Sequence, residues 1–241
     1  MRAAIISDIH GNLEAFRAVL SDIETERAID TVCLGDNVGY GPEPEAVVRL
    51  VREKRIPCVM GNHELVLTHP KYLSRMNPTA RQSAVITRTL ISDDSMAYIQ
   101  GLRPTFHFHG ALCVHGCPPD SMTTYLIMLS ERDLVDVFRT FDEPIAFVGH
   151  THELEWVSFD GMTVTRRPLG RTEMELKPDK RYIINAGSVG QPRDGDNRAK
   201  YLIWDLAEHT VCARFVPYDI GTTARRILEL GFPEYNATRL W

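Results

Sequence analysis

The chain lacks any apolar run approaching the ~18–20 residues of a membrane span. It also lacks the charged start, apolar stretch and small-residue cleavage site of a secretory leader, so no signal peptide is expected. Cysteine is scarce and odd in number, with five in 241 residues. Cys33, Cys58, Cys113 and Cys212 lie in strand-like runs, where a free thiol behaves as a small hydrophobe. A disulfide framework is therefore not expected, and a reduced, cytoplasmic setting is. Positive charge is in deficit. The net charge of −5 argues against a surface built to grip nucleic acid. No repeat, low-complexity tract or linker breaks the chain, and 44% hydrophobic content is ample for a large core. One domain over residues 1–241 is the expectation.

What the chain has is five short polar clusters: Asp8-Ile9-His10, Gly35-Asp36-Asn37, Gly61-Asn62-His63-Glu64, His115-Gly116 and Gly149-His150-Thr151-His152. Each directly follows an apolar, β-rich run, at 3–6, 31–34, 57–60, 111–114 and 145–148. Such endings would gather carboxylates, imidazoles and one amide at one edge of a sheet, where open α/β folds bind ligands. A mixture of Asp, Asn and His suits divalent transition metals better than calcium.

The flanking pattern is α/β. Residues 3–7, 31–34 and 57–60 read as strands separated by helices, the first capped by Asn12 and the second, 45–54, entered through Pro42 and Pro44. Helices are predicted over 79–91, 94–102 and 131–141, with strands at 111–114 and 145–148. Beyond His152 the pattern turns antiparallel. Runs at 156–159 and 162–165 flank Asp160-Gly161, a hairpin signal, and further strands are expected at 182–184, 201–204 and 211–216 before a closing helix at 222–230. A second sheet packed on the first is the natural reading.

Asp8-x-His10 and Gly35-Asp36-Asn37 are weak alone; Gly61-Asn62-His63-Glu64, three polar side chains straight after a buried strand, and the paired His150-x-His152 are more specific. Asp-x-His at a strand end is often a helix cap, Gly-Asp is common turn chemistry, and His115 alone reads as a satisfied core histidine. Glu64 reads as a holder of backbone amides at a helix start. His107 and His109 read as a polar strand face, and His69 and His209 as surface residues. The conjunction is another matter. Two aspartates, one asparagine and four histidines after predicted strands exceed what one ion takes and suit two ions sharing a ligand.

The five clusters, in this order over roughly residues 5–190, resemble the motifs of the calcineurin-like metallophosphoesterases. Gly35-Asp36-Asn37-Val38-Gly39-Tyr40-Gly41-Pro42 and Asn185-Ala186-Gly187-Ser188-Val189-Gly190-Gln191-Pro192-Arg193 are similar to a small bacterial branch of predicted, dinucleoside-polyphosphatase-like phosphoesterases. The resemblance implies a four-layer α/β/β/α sandwich. It implies one ion on Asp8, His10, Asp36 and His152, a second on Asp36, Asn62, His115 and His150, and Asp36 as the bridge. His63 would act beside the substrate as an acid or transition-state stabiliser. The phosphoprotein-phosphatase branch has Gly-Asp-x-x-Asp-Arg-Gly here; this chain puts Gly39 and Tyr40 in place of the Asp and Arg.

The reading is a phosphoesterase with two divalent transition ions (manganese, iron, zinc or nickel), attacking phosphorus with metal-bound hydroxide. Asp36, Asn62 and His63 form the expected catalytic set, and Asn37, Tyr40 and Arg193 the expected substrate contacts. Small phosphodiesters or dinucleoside polyphosphates are favoured, because Tyr40 offers an aromatic face where an arginine fork would grip a monoester. A phosphoprotein or phosphomonoester phosphatase, a metal-dependent nuclease and a non-catalytic scaffold are the alternatives. The expected partner is a small phosphate ester, with no membrane and no nucleic acid; oligomeric state is left open. Cys117, two residues after His115, is expected near the second ion without ligating it.

Overall fold

The computed structural model describes residues 1–241. In chain order the elements are β1 (Arg2–Ile6), α1 (Leu13–Thr25), β2 (Asp30–Cys33), α2 (Pro44–Glu53), α3 (Asn62–Thr68), α4 (Pro78–Leu90), α5 (Asp93–Gln100), β3 (Thr105–Phe108), β4 (Ala111–Val114), α6 (Glu131–Phe138), β5 (Ile145–Val148), β6 (Leu154–Phe159), β7 (Val164–Pro168), β8 (Met174–Glu175), β9 (Arg181–Ala186), β10 (Ala199–Asp205), β11 (Thr210–Val216), α7 (Ile220–Glu229) and α8 (Glu234–Thr238). No helix is long and apolar enough to cross a membrane.

The strands form two mixed sheets, ordered β2-β1-β10-β11-β8 and β3-β4-β5-β9-β6-β7. Period-two alternation builds the layers. In β1, Ala3 and Ile5 join Leu202, Trp204, Phe147 and Ile184 between the sheets. Ala4 and Ile6 face the other way, onto Phe16 and Val19 of α1 and Val47 and Val51 of α2. The outer face of the second sheet, through Leu112, Val114, Ala146 and Val148, is covered by Leu134 and Phe138 of α6. The result is the four-layer α/β/β/α arrangement the resemblance implied.

Asn12 caps α1 by accepting from the Ala15 amide at 3.1 Å, and Pro44 opens α2. The hairpin at Asp160-Gly161 joins β6 to β7. One expected strand differs. Residues 57–60 form only single bridges, Cys33 to Cys58 and Val59 to Arg103. The Cys33 amide donates to the Pro57 carbonyl and the Val59 amide to the Cys33 carbonyl, after which the chain enters α3. Contact with β2 is too brief for a ladder.

Candidate metal centre

Contrary to the expectation of one shared sheet edge, the polar clusters come from two sheets. They meet where the two sheets end together: Asp8, His10 and Asp36 follow β1 and β2, while His115, His150 and His152 follow β4 and β5. Six residues here, Asp8, His10, Asp36, Tyr40, His150 and His152, adopt left-handed φ between 50° and 69°. Each costs roughly 1–2 kcal/mol for a non-glycine residue, and strain of this kind gathers at functional sites. Gly61 admits the close approach of its neighbours, since a Cβ there would lie 2.1 Å from Asp36 Oδ1.

Each carboxylate has one oxygen held and one presented. Asp8 Oδ2 accepts from Ser7 Oγ at 2.6 Å and from the His150 amide at 3.0 Å. Its Oδ1, buried and without a hydrogen-bond partner, lies 3.2 Å from His152 Nε2. Asp36 Oδ1 accepts from the His63 amide at 2.8 Å, and Oδ2 faces His115 Nε2 at 3.2 Å. The imidazoles follow the same plan. His10 Nδ1 lies 2.9 Å from the Val38 carbonyl, His115 Nδ1 2.8 Å from that of Leu34, and His152 Nδ1 2.5 Å from that of Gln191. These partners assign the proton to Nδ1 and turn the Nε2 lone pairs inward, the arrangement of ligating histidines.

The inward atoms then face one another as acceptors. His10 Nε2 is 3.1 Å from His152 Nε2, and His115 Nε2 is 3.1 Å from Asn62 Oδ1. His150 Nε2 is buried with no partner. Acceptors packed this closely away from water need a proton or a metal cation between them, and at His115 the metal-free protein holds a proton. Asp8 with His10 and His152, and Asp36 with His115 and His150, each bring one potential ligand atom per residue within 4.8 Å of one another; His10, Asp36 and His63 form a third such group. The donor set therefore fits divalent ions of the transition series.

Titration follows the same geometry. Burial would raise both carboxyls, yet the surrounding imidazoles hold Asp8 and Asp36 well below the usual carboxylate range. Burial opposes a charge on His115 too, but the Asp36 carboxylate outweighs it and pushes that histidine up to about 10. Burial pushes His63 down to about 3 and His150 likewise to about 3.

His63 has a buried Nδ1 without a partner, and its ring packs on Tyr40 and His10 with centroids 4.5 and 4.8 Å away. The half-buried Arg193 guanidinium lies 6.0 Å from the Tyr40 ring centre, and its Nη2 donates to Gln191 Oε1. Asn37 is a correction. It turns from the site into the core, donating from Nδ2 to Cys58 Sγ and Glu64 Oε1 and accepting from Cys33 Sγ. Glu64 takes its expected part: its carboxylate accepts the amides of Asp36, Asn37 and Gly61 at 2.7–3.0 Å. Cys117 is buried in the apolar cluster under α6, and burial pushes its thiol up to about 11. His107 and His109 pair instead with Glu143 and Asp30.

Three residues at the site carry no signal in the sequence. Tyr125 stacks on His150 with centroids 3.8 Å apart. Asn236 of α8 donates to the Tyr40 carbonyl at 3.1 Å. Arg239 lies near Arg193 and Tyr40, with burial and Arg193 lowering its basicity.

A family model described as the calcineurin-like phosphoesterase superfamily domain matches residues 1–209. An uncharacterised protein of Methanocaldococcus jannaschii is 33% identical, over 99% of this chain and 96% of its own. The crystal structure of a metallophosphoesterase from Sphaerobacter thermophilus is 36% identical with a TM-score of 0.85, covering 100% of this chain and 98% of that one. A symmetrical bis(5′-nucleosyl)-tetraphosphatase from Sodalis glossinidius is 35% identical over 43% of this chain and 36% of its own length.

Proposed function

Since the chain belongs to the calcineurin-like phosphoesterase superfamily, we propose that it is a two-metal phosphoesterase that hydrolyses small phosphodiesters or dinucleoside polyphosphates. Hydrolysis of phosphate esters comes with the family. One observation carries the two-metal reading: two buried groups of inward-facing acceptors lie side by side, with Asp36 Oδ2 between them, 3.8 Å from His10 Nε2 and 3.2 Å from His115 Nε2. Asp8, His10, Asp36 and His152 would hold one ion, and Asp36, Asn62, His115 and His150 the other. When bound, such a pair lowers the pKa of water and draws charge from phosphate oxygens.

The chain's own groups do the rest. The Val38, Leu34 and Gln191 carbonyls and the amides of His63 and His150 fix the donors before any ion arrives, so little reorganisation is left for binding. His63 is neutral at working pH, because burial disfavours its charged form. It serves the departing oxygen as a hydrogen-bond donor rather than as a standing imidazolium. Tyr40 and Arg193 flank it, one with an aromatic face and one with a cation. The dinucleoside-polyphosphate limb draws on these two residues and on the stretch shared with the Sodalis tetraphosphatase.

Elemental analysis of manganese-loaded protein should find two ions per chain, and stripping them should abolish ester hydrolysis. Asp36→Asn removes the shared charge. It should weaken both sites and slow hydrolysis roughly 10³-fold, the scale of several kcal/mol of lost transition-state stabilisation. One ion per chain under replete conditions, or hydrolysis indifferent to metal, overturns the proposal.

A further inference from the structure

We propose that the cavity beside the metal centre holds the departing half of the substrate, and that Tyr72, Tyr125 and Arg75 shape it for a nucleotide. The inference rests on the phosphoesterase reading and deepens it. A cavity of about 440 Å³ opens onto Asn62, His63 and His150, a volume within the range of small-ligand sites. Its walls come from α3, the 3₁₀ turn Pro70–Arg75, the start of α4 and Tyr125. Two kinds of group converge there. Tyr72 and Tyr125 supply aromatic surface, and Leu65 and Val66 the apolar floor.

Arg75 supplies the charge. It stands 5.0 Å from the Tyr72 ring centre and forms no ion pair with any carboxylate. No Asp or Glu lines the cavity, although the chain has 32 of them. Outside the lining, Arg193 keeps a buried Nε without a partner and stands 6.0 Å from the ring centre of Tyr40, which does line the cavity. A neutral sugar or lipid alcohol would leave these cations uncompensated, and a phosphorylated serine or threonine side chain offers no flat group to the tyrosines. A flat base against the tyrosines with phosphate on Arg75 answers both features, since stacking is indifferent to base identity and guanidinium grips phosphate bidentately.

The test uses the full chain and ADP as the probe. ADP should bind saturably in chelator, where the metal centre contributes nothing, and adenosine more weakly. Arg75→Ala should raise the ADP Kd about tenfold, with partial recovery in Arg75→Lys, and Tyr72→Ala should raise it roughly tenfold. In manganese-loaded enzyme, both variants should lose more kcat/KM on a dinucleoside polyphosphate than on bis(p-nitrophenyl) phosphate. No saturable ADP binding, or an unchanged Kd in both folded variants, overturns the nucleotide site while aryl-ester turnover keeps the phosphoesterase reading alive. Arg75-dependent ADP binding without turnover of any ester sinks the enzyme reading and leaves the nucleotide site standing.

Discussion

His63 shows how burial decides the role of a side chain. Its ring is packed between Tyr40 and His10, and its Nδ1 meets no acceptor. Where the phosphoprotein-phosphatase motif supplies a carboxylate, this chain has Gly39. In the proposed reaction the imidazole is a neutral donor, and its benefit depends on how much charge the leaving oxygen develops. His63→Ala should slow alkyl esters by about 10²–10⁴-fold and activated aryl esters far less. Metal content should hold, because the Asp36 carboxylate accepts from the backbone amide of residue 63, which alanine keeps. Equal losses on both ester types would exclude the donor role, and loss of metal would make His63 a ligand.

At the scale of elements, the loop between β2 and α2 carries the most consequence per residue. Asp36 and Tyr40 are left-handed, and Gly39 sits at φ +86° with His63 Nδ1 only 2.1 Å from where a Cβ would lie. Alanine at this position both strains the loop by about 1–2 kcal/mol and displaces the imidazole. Gly39→Ala should reproduce the ester-selective loss of His63→Ala with metal retained, a pattern that kinetics and elemental analysis together resolve. Unchanged turnover of alkyl esters would mean that His63 has room the geometry denies it.

The same loop shows what was legible in the sequence. Strand-end carboxylates and imidazoles were, because each sits directly after an apolar run whose period is plain. Asn37 was misread because the left-handed turn at Asp36 sends successive side chains to opposite sides, one to the centre and one to Cys33 and Cys58. Tyr125 and Asn236 were invisible, since one comes from a long loop after β4 and the other from α8, with no periodic signal tying either to a strand end. The short strand at 57–60 failed because apolar content predicts burial but not how many residues find a ladder partner.

Across the whole molecule, the proposed metal centre would also be a joint. Its donors come from both sheets, Asp8, His10 and Asp36 from one and His115, His150 and His152 from the other, and the sheets otherwise meet through apolar side chains. Without cations, two buried carboxylates and five imidazoles are crowded where water cannot screen them. Ions that bind only the folded chain should stabilise it by mass action, about 2.7 kcal/mol at 100 times Kd. For a chain of this length that is a rise of roughly 5–11 °C in Tm. The gain should shrink with falling pH. His115 is held up to about 10 by Asp36, so the metal-free protein keeps a proton there that an ion must displace, and acid favours the proton. Thermal melts with manganese against chelator, from pH 6 to 8, should show a widening gap. Asp36→Asn should nearly close that gap at every pH, while His63→Ala should leave it open. A manganese shift that survives Asp36→Asn, or one that grows as pH falls, would mean that ions bind elsewhere and that the two sheets are not joined through this centre.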